Sequence, residues 1–147
     1  MPSFPATIRV LAGLTILVVA ACDSTGSGTN TTPEPTSPAD LTGTSWTLVS
    51  IGATPAIEGA GASLAFDSAG NVNGSTGCNS FSGSYALDGS ALTFGPLATT
   101  RMACEDAVMA QEAAVLEALS GVSGWEVDAY EMLHLTGDTE LVFALAS

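Results

Sequence analysis

The chain has 147 residues, with fifteen acidic side chains, two basic ones and one histidine, for a formal net charge of −13. So few Lys and Arg cannot neutralise a run of phosphates, which excludes nucleic-acid binding and gives no direct attraction to anionic lipid headgroups. The acidic excess reads first as a solvated, solubilising surface.

The chain opens "MPSFPATIRVLAGLTILVVAACDSTG", with Arg9 ahead of the apolar run "VLAGLTILVVAA". That run is too short for a comfortable membrane span and ends in small residues, so 1–21 is expected to be a signal peptide. Its end, "VAAC" from Val19 to Cys22, resembles the bacterial lipobox. The resemblance implies cleavage between Ala21 and Cys22, and lipidation of Cys22 with acyl groups such as palmitate. Several acyl chains anchor a protein stably where one binds only marginally.

Residues 22–40 continue as the lipidated cysteine and then "DSTGSGTNTTPEPTSPAD", rich in Ser, Thr, Gly and Pro and without an apolar period. This composition reads as a disordered tether with a root-mean-square reach of roughly 23 Å. Residues 41–147 make one domain by length. Loss of the signal segment would remove Arg9 and leave Arg101 alone against fifteen acids.

In the domain, "SWTLVSI" places Trp46 and Leu48 on one face, with Val49 and Ile51 on the other. "ASLAFDS" sets Leu64 and Phe66 two apart, and "SFSGSYALDG" gives Phe81, Gly83, Tyr85 and Leu87 at period two. "ALTF", "WEVDAY", "MLHLTG" and "ELVFALAS" continue the alternation, which means one buried face and one wet face. "FDSAGNV", "LDGSAL" and "LTGDTEL" combine Gly with Asp or Asn and read as hairpin turns. The first lacks the dense carboxylates of a calcium loop. Between these strands, "CEDAVMAQEAAVLEALSG" puts Val108, Val115 and Leu119 on one helical face, with polar Gln111 in the same series. Glu105 and Asp106 suit its start and Gly121 its end, so one amphipathic helix of about four turns is expected. The expected fold is mainly β (α+β): a strongly bent antiparallel sheet or partial barrel of about seven to eight strands packed on that helix.

With Cys22 assigned to lipid, Cys78 and Cys104 remain, and in an oxidising envelope they are expected to pair. Closing that loop of about 27 residues would stabilise the fold by roughly 3–4 kcal/mol in the chain-entropy model. No metal site is expected, because the single histidine, His134, alternates inside an apolar strand. A redox pair would want a C-x-x-C motif. The stretches "GTSWTLVS", "GSTGCNSFSGSYALDGSALTFGPLATTRMAC" and "AQEAAVLEALSGV" resemble the META domain, the HslJ-like family of bacterial envelope proteins, across about Leu41 to Leu145. The resemblance marks Trp46, Gly77, Asn79, Phe81, Gly83, Tyr85, Thr100 and Arg101 as motif residues. It implies a small antiparallel β structure with a helix, in secreted or lipid-anchored proteins linked to heat response, antibiotic tolerance or motility. It brings no catalytic residue set, and the chain departs from many relatives in its near-total lack of basic residues.

Arg101 is accordingly expected to be a structural strut, pairing with a carboxylate and with loop carbonyls, aided by Thr99, Thr100 and Asn79. An anion site with the "GSTGCN" backbone is the alternative. Enzyme readings lack support: a Ser nucleophile has only His134 as base, Glu131 and His134 fall on opposite strand faces, and Glu126 and Asp128 read as solvent-side alternates. The resulting expectation is a monomeric, non-enzymatic protein of the bacterial cell envelope, without cofactor. It would be anchored by lipid to the outer or inner membrane and support envelope integrity or stress tolerance by binding another envelope component. A small-molecule carrier, or an inhibitor of a secreted hydrolase, is the alternative.

Overall fold

The structure, a computed structural model, describes residues 41–147; the expected signal peptide at 1–21, Ala21, Cys22 and the expected linker to residue 40 lie outside the described residues. The described chain forms ten strands and one helix. They are β1 (Ser45–Ile51), β2 (Thr54–Pro55), β3 (Ser63–Phe66), β4 (Asn71–Ser75), β5 (Ser80–Asp88), β6 (Ala91–Phe94), β7 (Ala98–Thr99), α1 (Asp106–Ser120), β8 (Val122–Val127), β9 (Met132–Gly137) and β10 (Leu141–Leu145).

Pairing runs β10-β9-β8-β6-β5-β4-β3-β1 and closes through β10 on β1, while β2 adds to β1 and β7 to β5. The sheet is therefore an eight-stranded closed antiparallel barrel with two short additions. Closure is what period-two sequences achieve when every inward face is apolar: each strand buries alternate residues and no long edge is left unpaired. Trp46, Leu48, Leu64, Phe66, Val72, Phe81, Leu92, Trp125, Leu133, Leu135, Leu141 and Phe143 fill the interior in one contiguous core.

The β1 pattern differs from strict alternation. Its register against β10 shifts between Leu48 and Ser50, a β-bulge, so that Leu48 faces Phe143 and Ile51 faces Leu141. Ile51 therefore turns back to the core and Val49 stands outside at 40% exposure, which corrects the placement of both on one outer face. The β4 strand carries one buried apolar residue, Val72, and takes its place through pairing with β3 and β5 rather than through its own pattern.

The three expected hairpins join β3 to β4, β5 to β6 and β9 to β10. In the first, Asp67 Oδ1 accepts from the backbone N–H of Ala69 and Asn71, and Oδ2 accepts from Asn71 Nδ2. Both carboxylate oxygens are occupied by the turn itself. The β8–β9 turn repeats this plan: Asp128 Oδ1 accepts from the N–H of Tyr130 and Met132, and Asp128 N–H bonds the Met132 carbonyl.

The antiparallel order brings the ends of β1, β4, β6 and β9 and the starts of β3, β5, β8 and β10 to one end of the barrel. Helix α1 closes that end, contributing Val115, Ala118 and Leu119 to the core. Val108 is only half-buried; polar Gln111 takes the buried position one turn on. The helix ends at Ser120, and Gly121 (φ −98°) passes directly into β8.

Candidate binding face

Three of the motif residues, Gly77, Asn79 and Thr100, converge where α1 meets the β4–β5 connection. Gly77 holds φ at +107°, a conformation open to glycine, and so turns the chain between Thr76 and Asn79. Thr76 and Asn79 are fully buried, and burial obliges their polar groups to find partners. Asn79 Oδ1 accepts from Met102 N–H (2.7 Å) and Thr100 Oγ1 (2.8 Å), while Nδ2 donates to the Met102 carbonyl (3.1 Å) and to Glu112 Oε2 (2.9 Å). Glu112 Oε2 also accepts from Thr76 Oγ1 (2.7 Å). These hydrogen bonds, with that from Thr76 foremost, outweigh partial desolvation and hold the Glu112 pKa below its ordinary value. Beside it, Gln111 Oε1 accepts from Ile57 N–H and Nε2 donates to the Thr76 carbonyl, so the one polar residue in the helix stripe stitches two loops to the helix.

Cys78 and Cys104 are bonded (S–S 1.99 Å), tying the start of β5 to the entry of α1 as expected. Thr100 N–H donates to the Ser80 carbonyl, and Ser80 N–H donates to Thr100 Oγ1. The segment from Thr99 to Cys104 is thus held from both sides through its backbone.

Arg101 takes no part. Its side chain is exposed, and it makes neither a hydrogen bond nor an ion pair among the described residues. The strut expectation is therefore corrected. The strut exists, but it is the Asn79 carboxamide and the Glu112 carboxylate, and Thr99 is outside it. An amide and a carboxylate of short reach replace the guanidinium because the buried space lies under the backbone of residues 100–104. The side chains of Arg101 and Met102 (58% exposed) project outside that space.

The remaining motif residues are structural. Trp46 and Phe81 are buried in the core, and Tyr85 Oη donates to the Asp67 carbonyl while its ring meets Phe66 edge-on at 4.9 Å. Gly83 has no side chain because the Pro96–Leu97 loop lies on it: a Cβ there would stand 2.7 Å from Leu97 Cδ2 and 2.9 Å from the Pro96 carbonyl.

His134 also departs from expectation. Leu133 and Leu135 point inward, and His134 stands on the outer face between two carboxylates, Nδ1 3.0 Å from Glu140 and Nε2 3.3 Å from Asp128. Partial burial disfavours the charged ring, but the bonds and charges of Glu140 and Asp128 outweigh it and raise the His134 pKa above its ordinary value. Because the two carboxylates lie on opposite sides of the ring, they do not converge on a shared point. Among the described residues, no group of three or more His, Cys, Asp or Glu is placed to hold a metal ion. Likewise, no described helix is long and apolar enough to cross a membrane.

Two clefts flank α1. One, of about 550 Å³, is lined by Phe94, Gly95, Pro96, Leu97, Thr99, Leu116 and Ser120. The other, of about 250 Å³, runs between the alanines of α1 (Ala107, Ala110, Ala114) and Ile51, Pro55 and Ile57.

A sequence model of the META domain matches residues 39–147. An NMR structure of a protein from Burkholderia xenovorans is similar at 31% identity and a TM-score of 0.64, covering 88% of this chain and 99% of that one. A second NMR structure is similar at 27% identity and a TM-score of 0.62, covering 74% of this chain and 93% of the other. A crystal structure of a DUF4847 family protein from Bacteroides vulgatus shares the fold at 15% identity, a TM-score of 0.53 and coverage of 71% and 93%. No curated protein matches the sequence.

Proposed function

The chain belongs to the META domain family, and on that premise we propose a lipid-anchored, non-enzymatic protein of the bacterial envelope that acts by binding another envelope component. The observation that carries this reading is the filled barrel. Bulky side chains occupy its interior, so recognition falls to the outer surface, where two clefts and the rigidly backed Arg101–Met102 segment gather around one helix. The "VAAC" end of the apolar N-terminal run and the Ser/Thr/Pro/Gly stretch after it support anchoring at the end of a tether.

Two measurements test this. Metabolic labelling with an alkyne-bearing palmitate should mark the wild-type chain, whereas Cys22→Ser should stay unlabelled as unprocessed precursor; normal processing of that variant would sink the anchor. A photo-crosslinking residue at Met102 should trap a defined envelope partner in cells, and one at Ala69, at the opposite end, should not. Equal adducts from both positions would refute binding through the helix end.

A further inference from the structure

We propose that the larger cleft beside α1 is a binding site for small amphiphilic cations, an apolar body carrying one ammonium group. This goes beyond the envelope role and does not depend on the lipid anchor. The cleft is lined by the apolar side chains of Phe94, Pro96, Leu97 and Leu116 and by the hydroxyl-bearing Thr99 and Ser120. Its size falls in the range that encloses a small ligand.

The site is built in advance. Gly83 lets Leu97 and Pro96 lie directly on β5, and Gly95 N–H bonds the Ser84 carbonyl, so the loop wall is fixed before any ligand arrives. Phe94 is braced from beneath by Phe66, with ring centroids 6.3 Å apart and nearly parallel planes. A preformed wall spares a ligand the entropy of ordering it.

Electrostatics choose the ligand's charge. Ser120 is the last residue of α1, where the helix dipole presents its negative end, and the last turn carries no basic residue to answer it. Glu117 stands one turn back, and Asp138 approaches the following Gly121, since a Cβ there would lie 3.2 Å from Asp138 Oδ2. The negative helix end at Ser120 and these neighbouring carboxylates place the ammonium at the Ser120 end of the cleft.

The test uses the exported chain from residue 22 onward, with Cys22→Ser, and three probes of equal tail length: octyltrimethylammonium, octyl glucoside and octyl sulfate, each kept below its micelle-forming concentration. Two-dimensional amide NMR should show saturable shifts at Leu97, Thr99, Leu116 and Ser120. The cation should bind about tenfold more tightly than the anion, because the helix dipole favours one and opposes the other. Ser120→Lys places a charge at that end of the cleft and should weaken cation binding about fivefold or more, while the same lysine answers the dipole and leaves the melting temperature unchanged or higher. Ser120→Gln should keep binding. Equal affinity for the three probes, shifts centred elsewhere, no saturable binding, or full binding by Ser120→Lys would each overturn the proposal.

Discussion

The carboxamide of Asn79 reads the backbone of Met102 in both directions, accepting from its N–H at 2.7 Å and donating to its carbonyl at 3.1 Å. This is a strand-like pairing made by a side chain, and it fastens the loop before α1 to the barrel. Asn79→Ala would leave the partly buried Met102 N–H, Glu112 and Thr100 contacts without their partner, at a cost of about 2–4 kcal/mol in chemical denaturation. Asn79→Asp should cost at least as much at neutral pH, since it sets a second carboxylate against Glu112. Its deficit should shrink on acidification as one of the two takes up a proton. A deficit independent of pH would show that Glu112 does not face this position.

Arg101→Ala should change stability by no more than about 0.5 kcal/mol, the usual size for an exposed side chain without partners. Thermal melts of the wild type and variant, run in parallel, check this. A drop of several degrees would return Arg101 to the structural role its motif suggested.

The two Asp-headed turns make an internal comparison. At the fourth position the first has Gly70 (φ +83°) and the second Glu131 (φ +60°), the only non-glycine residue with positive φ among those described. Left-handed backbone costs an ordinary L residue roughly 1–2 kcal/mol. Gly70→Ala should therefore destabilise by about 1 kcal/mol, and Glu131→Gly should stabilise by about 0.5–1 kcal/mol after the added freedom of the unfolded chain is counted. Denaturant midpoints for both variants decide it, and a destabilised Glu131→Gly would contradict the shared turn geometry.

His134 predicts a pH dependence. Both ring nitrogens face carboxylate oxygens, so both bonds form only with the protonated ring; Glu126 lies across on β8, and the β10 neighbour, Val142, is apolar. The folded pKa is raised, so this stabilisation is fully present below the ordinary histidine pKa, while the carboxylates remain ionised, and is lost as pH rises through the folded value. His134→Gln should thus differ from wild type by up to about 1 kcal/mol near pH 5 and by less near pH 8, and high salt should narrow the gap. NMR titration of the single imidazole reads the pKa directly.

Seven of the strands, the three Gly-bearing hairpins and the helix were legible because each is encoded by its own residues: alternation, turn chemistry, or spacing of three and four. β4 was not, since Asn71–Ser75 offers Val72 alone and is a strand by virtue of its neighbours. The bulge at Val49 was hidden because it is set by the register with β10, far away in the chain. The site was half legible. The cysteine pair and Asn79 stood out, but charge drew attention to Arg101, whereas the buried work falls to Asn79, Glu112 and Gln111. Gln111 carried the usable signal: an amide in the middle of an apolar helix face has to be bonded to something.

Closure of the barrel through β1 and β10 also bears on the protein's manufacture. The strand that β1 needs is the last in chain order among the described ones, so the cylinder cannot seal until Leu141–Leu145 has been made. A copy broken off before Leu141 keeps β1 and β9 as bare flanks, with unpaired backbone groups and the side chains of Trp46 and Leu48 uncovered. Chains that include Leu141–Leu145 have no such flanks. The fold therefore reports whether β10 is present, distinguishing chains that reach Leu145 from shorter fragments by a feature that proteases and chaperones can sense.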